Sequence, residues 1–557
     1  MNAVALLLGS TFCFLLAYFL YSKLLARLIG VKANRPTPAH TCRDGVDYVP
    51  AHPAVLFGHH FASIAGAGPI VGPILAAEFG WGAVALWIVL GCIFVGSMHD
   101  MVTLYLSVRN KGCSIATVIA KVLGKPGKII FLLFCWSTLI LVCAEFTRLV
   151  AATFTQNPAV ATSSLLFIAE AVLFGIAVYR FRLPIGAASC IFVPVMFGCV
   201  WLGTRFPIQL SALGIAQDHA QTFWILVLLA YCFLASTLPV WLLLQPRDYL
   251  NSYLLYAMMI LGFVGVFFAN PSLNIPAFTG WTVAHGTQTR MLFPFLFVTI
   301  ACGACSGFHA LVASGTTAKQ LDRETHIRPV AYGGMLLEGV LAILSIIAVA
   351  AMTSSDFAAA MKSPNPVALF ASGIAGFCKS LGIPFEWANI FISLSIAAFL
   401  MTSVDTATRL ARFTWQELFD TSSGAAGDEK RPRPAWAKTA SSMYVATGIV
   451  VALVALLLLG DPATAKSLWH IFASSNQLLA ALTLLTASLW LVKRGRPCLF
   501  TALPMLFMFA ASGYALFSLM QSSTGVLRVA CVILFIMAIA LLALAWTQRH
   551  VWLKKRR

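Results

Sequence analysis

The chain has 557 residues, of which 60% are hydrophobic and 10% charged, with a formal net charge of +18. Soluble domains carry roughly 25% charged residues, so a water-soluble core is excluded. The positive surplus finds its nearest explanation in membrane topology rather than nucleic acid, and nothing along the chain resembles a separate soluble domain.

Apolar runs close to or above the roughly 20 residues that cross a bilayer recur from end to end. They predict an all-α polytopic membrane protein of about fifteen transmembrane helices, at 2–22, 57–79, 82–107, 129–154, 163–179, 183–204, 221–245, 250–269, 291–317, 329–353, 386–411, 439–460, 468–492, 498–520 and 527–547. The first run lacks a preceding basic segment and a small-residue cleavage site, so it reads as a retained span. With the N-terminus outside and the C-terminus inside, all but seven of the 37 Lys and Arg fall on the inner side, the exceptions being Arg148, Arg205, Arg290, Lys362, Lys379, Lys466 and Arg528. Lys and Arg loop bias sets orientation, so this asymmetry supports both the spans and their parity. The fourteen cysteines, among them Cys92, Cys143 and Cys305, lie mostly inside spans and read as small buried hydrophobes without a disulfide framework.

Two spans carry helix breakers. One is Gly66-Ala67-Gly68-Pro69 continuing to Pro73, in the second span; the other is Ser236-Thr237-Leu238-Pro239, in the seventh. Backbone groups freed there need other partners. Breaks five spans apart in oppositely directed helices predict an inverted five-plus-five repeat core of the amino-acid-transporter (LeuT-like) type, with a small-molecule substrate held at the midplane by Gly66, Gly68, Pro69, Ser236, Thr237 and Pro239. Two ordinary kinks are the alternative, since Gly and Pro are frequent in membrane helices. The expected organisation is an N-terminal helix and loop (1–56), two repeats (57–205 and 206–413), a cytoplasmic linker (414–438) with a charge run at 428–433, and a C-terminal four-helix block (439–557).

Ionisable groups inside spans are costly and are functional candidates by default. By this topology His59 and His60, Asp100 beside His99, His309 with Ser314 and Thr317, and Asp405 all approach one cytoplasmic third of the membrane. Hydroxyls on the equivalent helix of amino-acid-type inverted-repeat transporters join unwound carbonyls in a sodium site. The expected coupling site for a proton or sodium is therefore His59, His60, Asp100, His309, Ser314, Thr317 and Asp405, with His59, His60 and His309 as ligands for a transition-metal ion if one binds. Each histidine has the alternative of a buried hydrogen-bonding role, and no spacing resembles a tight zinc motif. Asp405 with Arg409 reads equally as an i, i+4 pair that neutralises itself, Glu145 with Arg148 likewise, and Glu338 as either a proton carrier or a structural carboxyl. No phosphate loop, dinucleotide fingerprint or nucleophile elbow is present in the sequence, which argues against ATP-driven transport. A secondary transporter and not an enzyme is expected, with a membrane-embedded metalloenzyme using the His and Asp cluster, or a nutrient sensor, as the remoter alternatives.

Ordered motifs then carry a resemblance. Gly58-His59-His60-Phe61 with Gly66 to Pro73, Leu238-Pro239-Val240-Trp241 with Gln245-Pro246-Arg247-Asp248, Ser306-Gly307-Phe308-His309-Ala310 with Ser314-Gly315-Thr316-Thr317, and Asn476-Gln477-Leu478-Leu479-Ala480 closely resemble the carbon starvation protein CstA family. The resemblance implies an uptake system of the bacterial inner membrane with the inverted-repeat fold, carrying peptides in some members and pyruvate with protons in others. It implies no firm cofactor. Arg247, at the cytoplasmic end of the seventh span, is expected to serve structure or gating rather than to bind an anion.

Overall fold

The computed structural model describes residues 2–44, 47–239, 241–285, 288–419, 435–460 and 462–548. The 428–433 charge run, most of the expected linker and the basic tail at 554–557 lie outside the described residues. In chain order the helices are α1 (Ala3–Ile29), α2 (Pro53–Ile64), α3 (Gly68–Phe79), α4 (Trp81–Arg109), α5 (Ile115–Gln156), α6 (Pro158–Arg180), α7 (Ile185–Arg205), α8 (Gln217–Thr237) and α9 (Leu244–Ala269). A hairpin of β1 (Thr282–His285) and β2 (Gln288–Met291) leads into α10 (Leu292–Ile300) and α11 (Gly307–Val312). Then come α12 (Glu324–Ala350), α13 (Ser354–Lys362), α14 (Pro366–Leu381), α15 (Phe385–Leu418), α16 (Met443–Leu459), α17 (Pro462–Lys493), α18 (Leu499–Ser522) and α19 (Gly525–Thr547).

The polytopic helical class is as expected, but the span count is corrected. Twelve described helices are long and apolar enough to cross a membrane, and the bent pair α2–α3 makes thirteen. The two remaining expected spans differ in kind. Helix α16 has only 17 residues, about 25 Å of rise against a hydrocarbon core of about 30 Å. The span expected at 291–317 is split into α10, a turn at Ala301–Gly303, extended backbone at Ser306, α11 and a π-helical turn at Ala313–Thr317.

The first break lies where the sequence places it. Helix α2 ends at Ile64, and the chain bends by 44° before α3. Pro69 falls in the first turn of α3, where its missing N–H deprives the helix of nothing. The second break is displaced from its expected position. Ser236 and Thr237 form the last turn of α8, Leu238 caps it with extended backbone (ψ 153°), and Pro239 follows in the connection to α9. A residue before proline is driven out of the α region, so Pro239 ends one helix rather than kinking a continuous span. The second broken segment is instead the α10–α11 one, where Gly303-Ala304-Cys305-Ser306-Gly307 interrupts the apolar run.

The two broken segments pack together. Gly72 lies against the carbonyls of Thr299 and Ile300, Gly68 against Cys302, and His60 against Thr317. One residue number rises as the other falls, so the segments run antiparallel. A Cβ on Gly72 would stand 2.7 Å from both carbonyl oxygens, and only glycine permits this approach.

Around this pair, α5 packs along α15, and α17 packs on both α5 and α11. Helices α15 and α17 are buried over most of their length, whereas α7 and α19 turn apolar side chains such as Phe197, Ile533 and Ile536 outward. Lipid tails cover such faces as well as a protein core would. At one end of the bundle the segment after α1 straps the α11–α12 connection: Lys32 N–H donates to Glu324 (2.8 Å), Arg35 pairs with Glu324 (3.3 Å), and Ala51 N–H donates to the Gln320 carbonyl (2.9 Å).

Candidate functional site

The second break is held open by side chains of α17. Asn476 Oδ1 accepts from the Phe308 N–H (2.8 Å) and its Nδ2 donates to Ser306 Oγ (3.1 Å). Gln477 Nε2 donates to the Phe297 carbonyl (2.6 Å), and Trp469 Nε1 to the Thr299 carbonyl (3.3 Å). The backbone groups that unwinding releases in an apolar setting are thus satisfied by the protein itself. Gly307 permits the contact, since a Cβ there would stand 2.3 Å from the Asn476 carbonyl oxygen.

Beside the breaks lies a fully buried ionisable cluster. Asp100 on α4 uses both carboxylate oxygens, one 2.8 Å from His309 Nδ1 and the other 2.8 Å from His99 Nδ1. The second ring nitrogen of His309, Nε2, stands 3.3 Å from Glu338 Oε2 on α12. His60 Nδ1, on α2, is 2.9 Å from Thr317 Oγ1 in the π-helical turn after α11. An ionised carboxylate only accepts, so each Nδ1 facing Asp100 carries a proton whenever Asp100 is charged. His60, His99, Asp100, His309 and Glu338 have no solvent exposure. The cluster draws on α2, α4, α11 with the turn beyond it, and α12, that is, on both broken segments and the helix that follows each.

Asp405 and His59, expected in the same site, lie in a second cluster. Asp405 pairs with Arg247 (2.6 Å) and accepts from Tyr231 (2.7 Å), whose hydroxyl also receives Arg247, and His59 Nδ1 is 3.7 Å from Asp248. Asp405 therefore pairs with Arg247 across helices instead of with Arg409, one turn along its own helix. Arg409 donates to the carbonyls of Ala235 (2.8 Å) and Leu238 (3.0 Å), and Arg412 to that of Ser236 (2.6 Å). These are the orphan carbonyls at the C-terminus of α8, where cations also complement the helix dipole. The backbone at Ser236 to Leu238, expected to meet substrate, is thereby occupied. Ser236 Oγ is 3.3 Å from Thr447, and Thr237 bonds back into its own helix.

Breaking one member of a buried ion pair costs about 3–5 kcal/mol, because a charge is left without a partner. Asp405→Asn is accordingly expected to lower stability by that order in a detergent unfolding titration. The double variant Arg247→Met with Asp405→Leu should recover most of the loss. A double variant as unstable as the single one would show that the pair is not the unit that matters.

Ser314 donates to the Ala310 carbonyl (2.7 Å) and accepts from Ile115 N–H (3.4 Å), so its hydroxyl serves the π-helical turn. The three histidines expected as metal ligands face three different partners, and no group of three or more His, Cys, Asp or Glu among the described residues is arranged to hold a metal ion. Gly66 and Gly68 line a small cavity between the breaks, enclosed by Phe146, Cys302, Phe308 and Phe472, with Ser403 Oγ buried there and without a hydrogen-bond partner among the described residues. Pro69 packs on Gly303 rather than on this cavity.

Several site residues escaped the sequence reading. Asn476 and Gln477 were visible as adjacent amides in an apolar run, and such a pair inside a span signals released backbone nearby. Tyr231 and Ser403 carried no local signal, because only the packing of α8 and α15 gives them partners or leaves them without.

The model of the family described as "Carbon starvation protein CstA" matches residues 2–368 and 357–515. A relative from Bacillus subtilis named "Peptide transporter CstA" is 33% identical, covering 92% of this chain and 90% of its own. An Escherichia coli relative named "Pyruvate/proton symporter BtsT" is 31% identical over 89% of this chain and 78% of its own. Among solved structures, an Eremococcus coleocola manganese transporter mutant matches with a TM-score of 0.44 at 12% identity, over 92% of this chain and 98% of that one. MhsT in complex with L-phenylalanine matches with a TM-score of 0.47 at 14% identity, over 88% and 99%. Likenesses at that level fix neither fold family nor cargo.

Proposed function

The chain belongs to the carbon starvation protein CstA family and is a multi-pass membrane transporter rather than an enzyme, and on that premise we propose that it imports peptides across the bacterial inner membrane, driven by protons. The observation that carries the reading is His309, which stands between Asp100 and Glu338 at 2.8 and 3.3 Å on the broken segment itself. Buried carboxyls and imidazoles within a membrane are the usual proton carriers of transporters. Here a change in their protonation reaches both broken helices directly.

In this reading the N-terminus lies outside, the strap before α2 is cytoplasmic, and the cavity between the breaks is the midplane substrate site. The repeats run from α2 to α9 and from α10 to α17, with α6–α7 as an inserted hairpin. Each repeat opens on a broken segment, continues with a helix bearing a buried carboxyl, Asp100 or Glu338, and then builds a long helix, α5 or α15. This is the inverted arrangement expected of alternating access. The two antiparallel breaks support it, and in this reading the repeats span 53–269 and 292–493 in place of the expected 57–205 and 206–413. The order of the motions is local: protonation of the cluster alters the pairing of His309, the broken segments shift against each other, and the cavity changes the side to which it opens.

Pyruvate carried with a proton is the second reading, favoured by the smallness of the cavity between the breaks. A panel of labelled di- and tripeptides, pyruvate and amino acids in liposomes of purified protein decides between them. Accumulation of a dipeptide above its external concentration under an inside-alkaline gradient is expected. Accumulation of pyruvate alone would establish the second reading, and uptake that only equilibrates under every ion gradient would overturn coupling.

A further inference from the structure

We infer that a larger cavity at the outer end of α5 and α15 is a second binding site, which takes the amide backbone of a peptide before it reaches the breaks; this rests on the peptide reading above. The cavity measures about 440 Å³ and lies where α5 ends, α13 and α14 turn and α15 begins. That is within the range of small-ligand pockets, roughly 300–1,000 Å³.

Its lining has a definite chemistry. None of the lining residues is charged, and four of them, Gln156, Asn157, Asn365 and Asn389, are amides. Each amide offers both donors and an acceptor, the complement of a peptide bond. Asn365 is partly committed, donating to Gln156 (2.5 Å) and accepting from Ala368 N–H (3.2 Å). Asn157, Asn389 and Ser393 make no side-chain hydrogen bond among the described residues, although Ser393 is only 5% exposed. Asn389 and Ser393 stand one helical turn apart and open into the same space. The cavity is open at a mouth that includes the exposed Gln156 and Ser363, so a polar ligand would bond to these groups in place of water.

The position fits a waiting site. On α5 the cavity begins at Thr153, seven residues beyond Phe146; on α15 it reaches Ser393, ten residues before Ser403. Phe146 and Ser403 line the cavity between the breaks, so the same two helices join both cavities over roughly 10–15 Å. Neither a small carboxylate anion nor the carboxylate of a dipeptide meets a cation among the lining residues, but a dipeptide also brings an amide bond for which the four lining amides offer donors and acceptors. The outer site thus selects peptides over small anions.

The test uses full-length protein with tritiated dialanine as the probe, by equilibrium binding in detergent and by uptake in liposomes. Wild type should bind two dialanine molecules per chain. Asn389→Leu and Ser393→Leu, which fill the cavity, should bind one and raise the half-saturation of uptake roughly tenfold, equivalent to about 1.4 kcal/mol, with a near-normal maximal rate. Asn389→Ala removes the amide without overfilling the space and decides the matter if the leucine variants do not fold; it should shift half-saturation in the same direction. Unchanged stoichiometry and half-saturation in a folded variant would overturn the outer site while leaving peptide transport intact, as would a wild type that concentrates dialanine but binds one molecule per chain. Loss of one bound dialanine in the variants of a protein that does not concentrate it would keep the outer site and overturn the transport reading. A wild type that concentrates pyruvate and neither binds nor moves dialanine would overturn both.

Discussion

Asp100→Asn protein in liposomes should let a labelled dipeptide equilibrate but not accumulate when an inside-alkaline gradient is imposed. Asparagine keeps the shape of the side chain and can still meet one imidazole. It cannot be ionised, and it cannot accept from His99 and His309 in the same way, since its nitrogen only donates. The cluster then loses the charge to which the protonated form of His309 responds. Some stability is lost as well, about 1–3 kcal/mol for a buried hydrogen bond that is no longer made, so exchange of peptide across the membrane is the necessary control. Exchange retained with accumulation abolished is the expected pattern, and His309→Gln should give it too. Accumulation at the wild-type level in either variant would remove the cluster from coupling and leave it a structural element.

Asn476→Leu should be among the most destabilising single changes outside the ionisable clusters. The variant leaves the Phe308 N–H and the Ser306 hydroxyl buried without the partner that now bonds them at 2.8 and 3.1 Å. Each unsatisfied group costs about 1–3 kcal/mol, so a loss of roughly 3–5 kcal/mol is expected in a detergent unfolding titration. Gln477→Leu removes one bond, to the Phe297 carbonyl, and should cost about a third as much. Equal small losses in both variants would mean that water or a rearranged backbone satisfies the second break, and that α17 does not hold it open.

Much of this protein was legible in its sequence, for reasons that can be located. Membrane insertion, helical class and the first break follow from local composition: apolar runs of bilayer length, and a Gly-Pro cluster at Gly66 to Pro73, before which α2 ends at Ile64 and in which α3 restarts with Pro69 in its first turn. His60, Asp100, His309 and Thr317 could be singled out because an ionisable or polar side chain is expensive in lipid wherever the fold takes it. The second break was misplaced because Ser236 to Pro239 announces itself through proline, whereas the real break at Gly303 to Gly307 contains none and is only a run of small residues in an apolar stretch.

Which groups meet was decided by the tertiary structure alone. Asp405 and Asp100 are the same kind of buried carboxylate, yet helix packing gives one an arginine and a tyrosine and the other two histidines. The freed carbonyls at Ser236 went to Arg409 and Arg412, and the freed amide at Phe308 to Asn476, over sequence separations of about 170 residues. Composition fixes that a buried polar group must have a partner. Hydrogen bonds act over about 3 Å, so the choice of partner belongs to the packing of the helices.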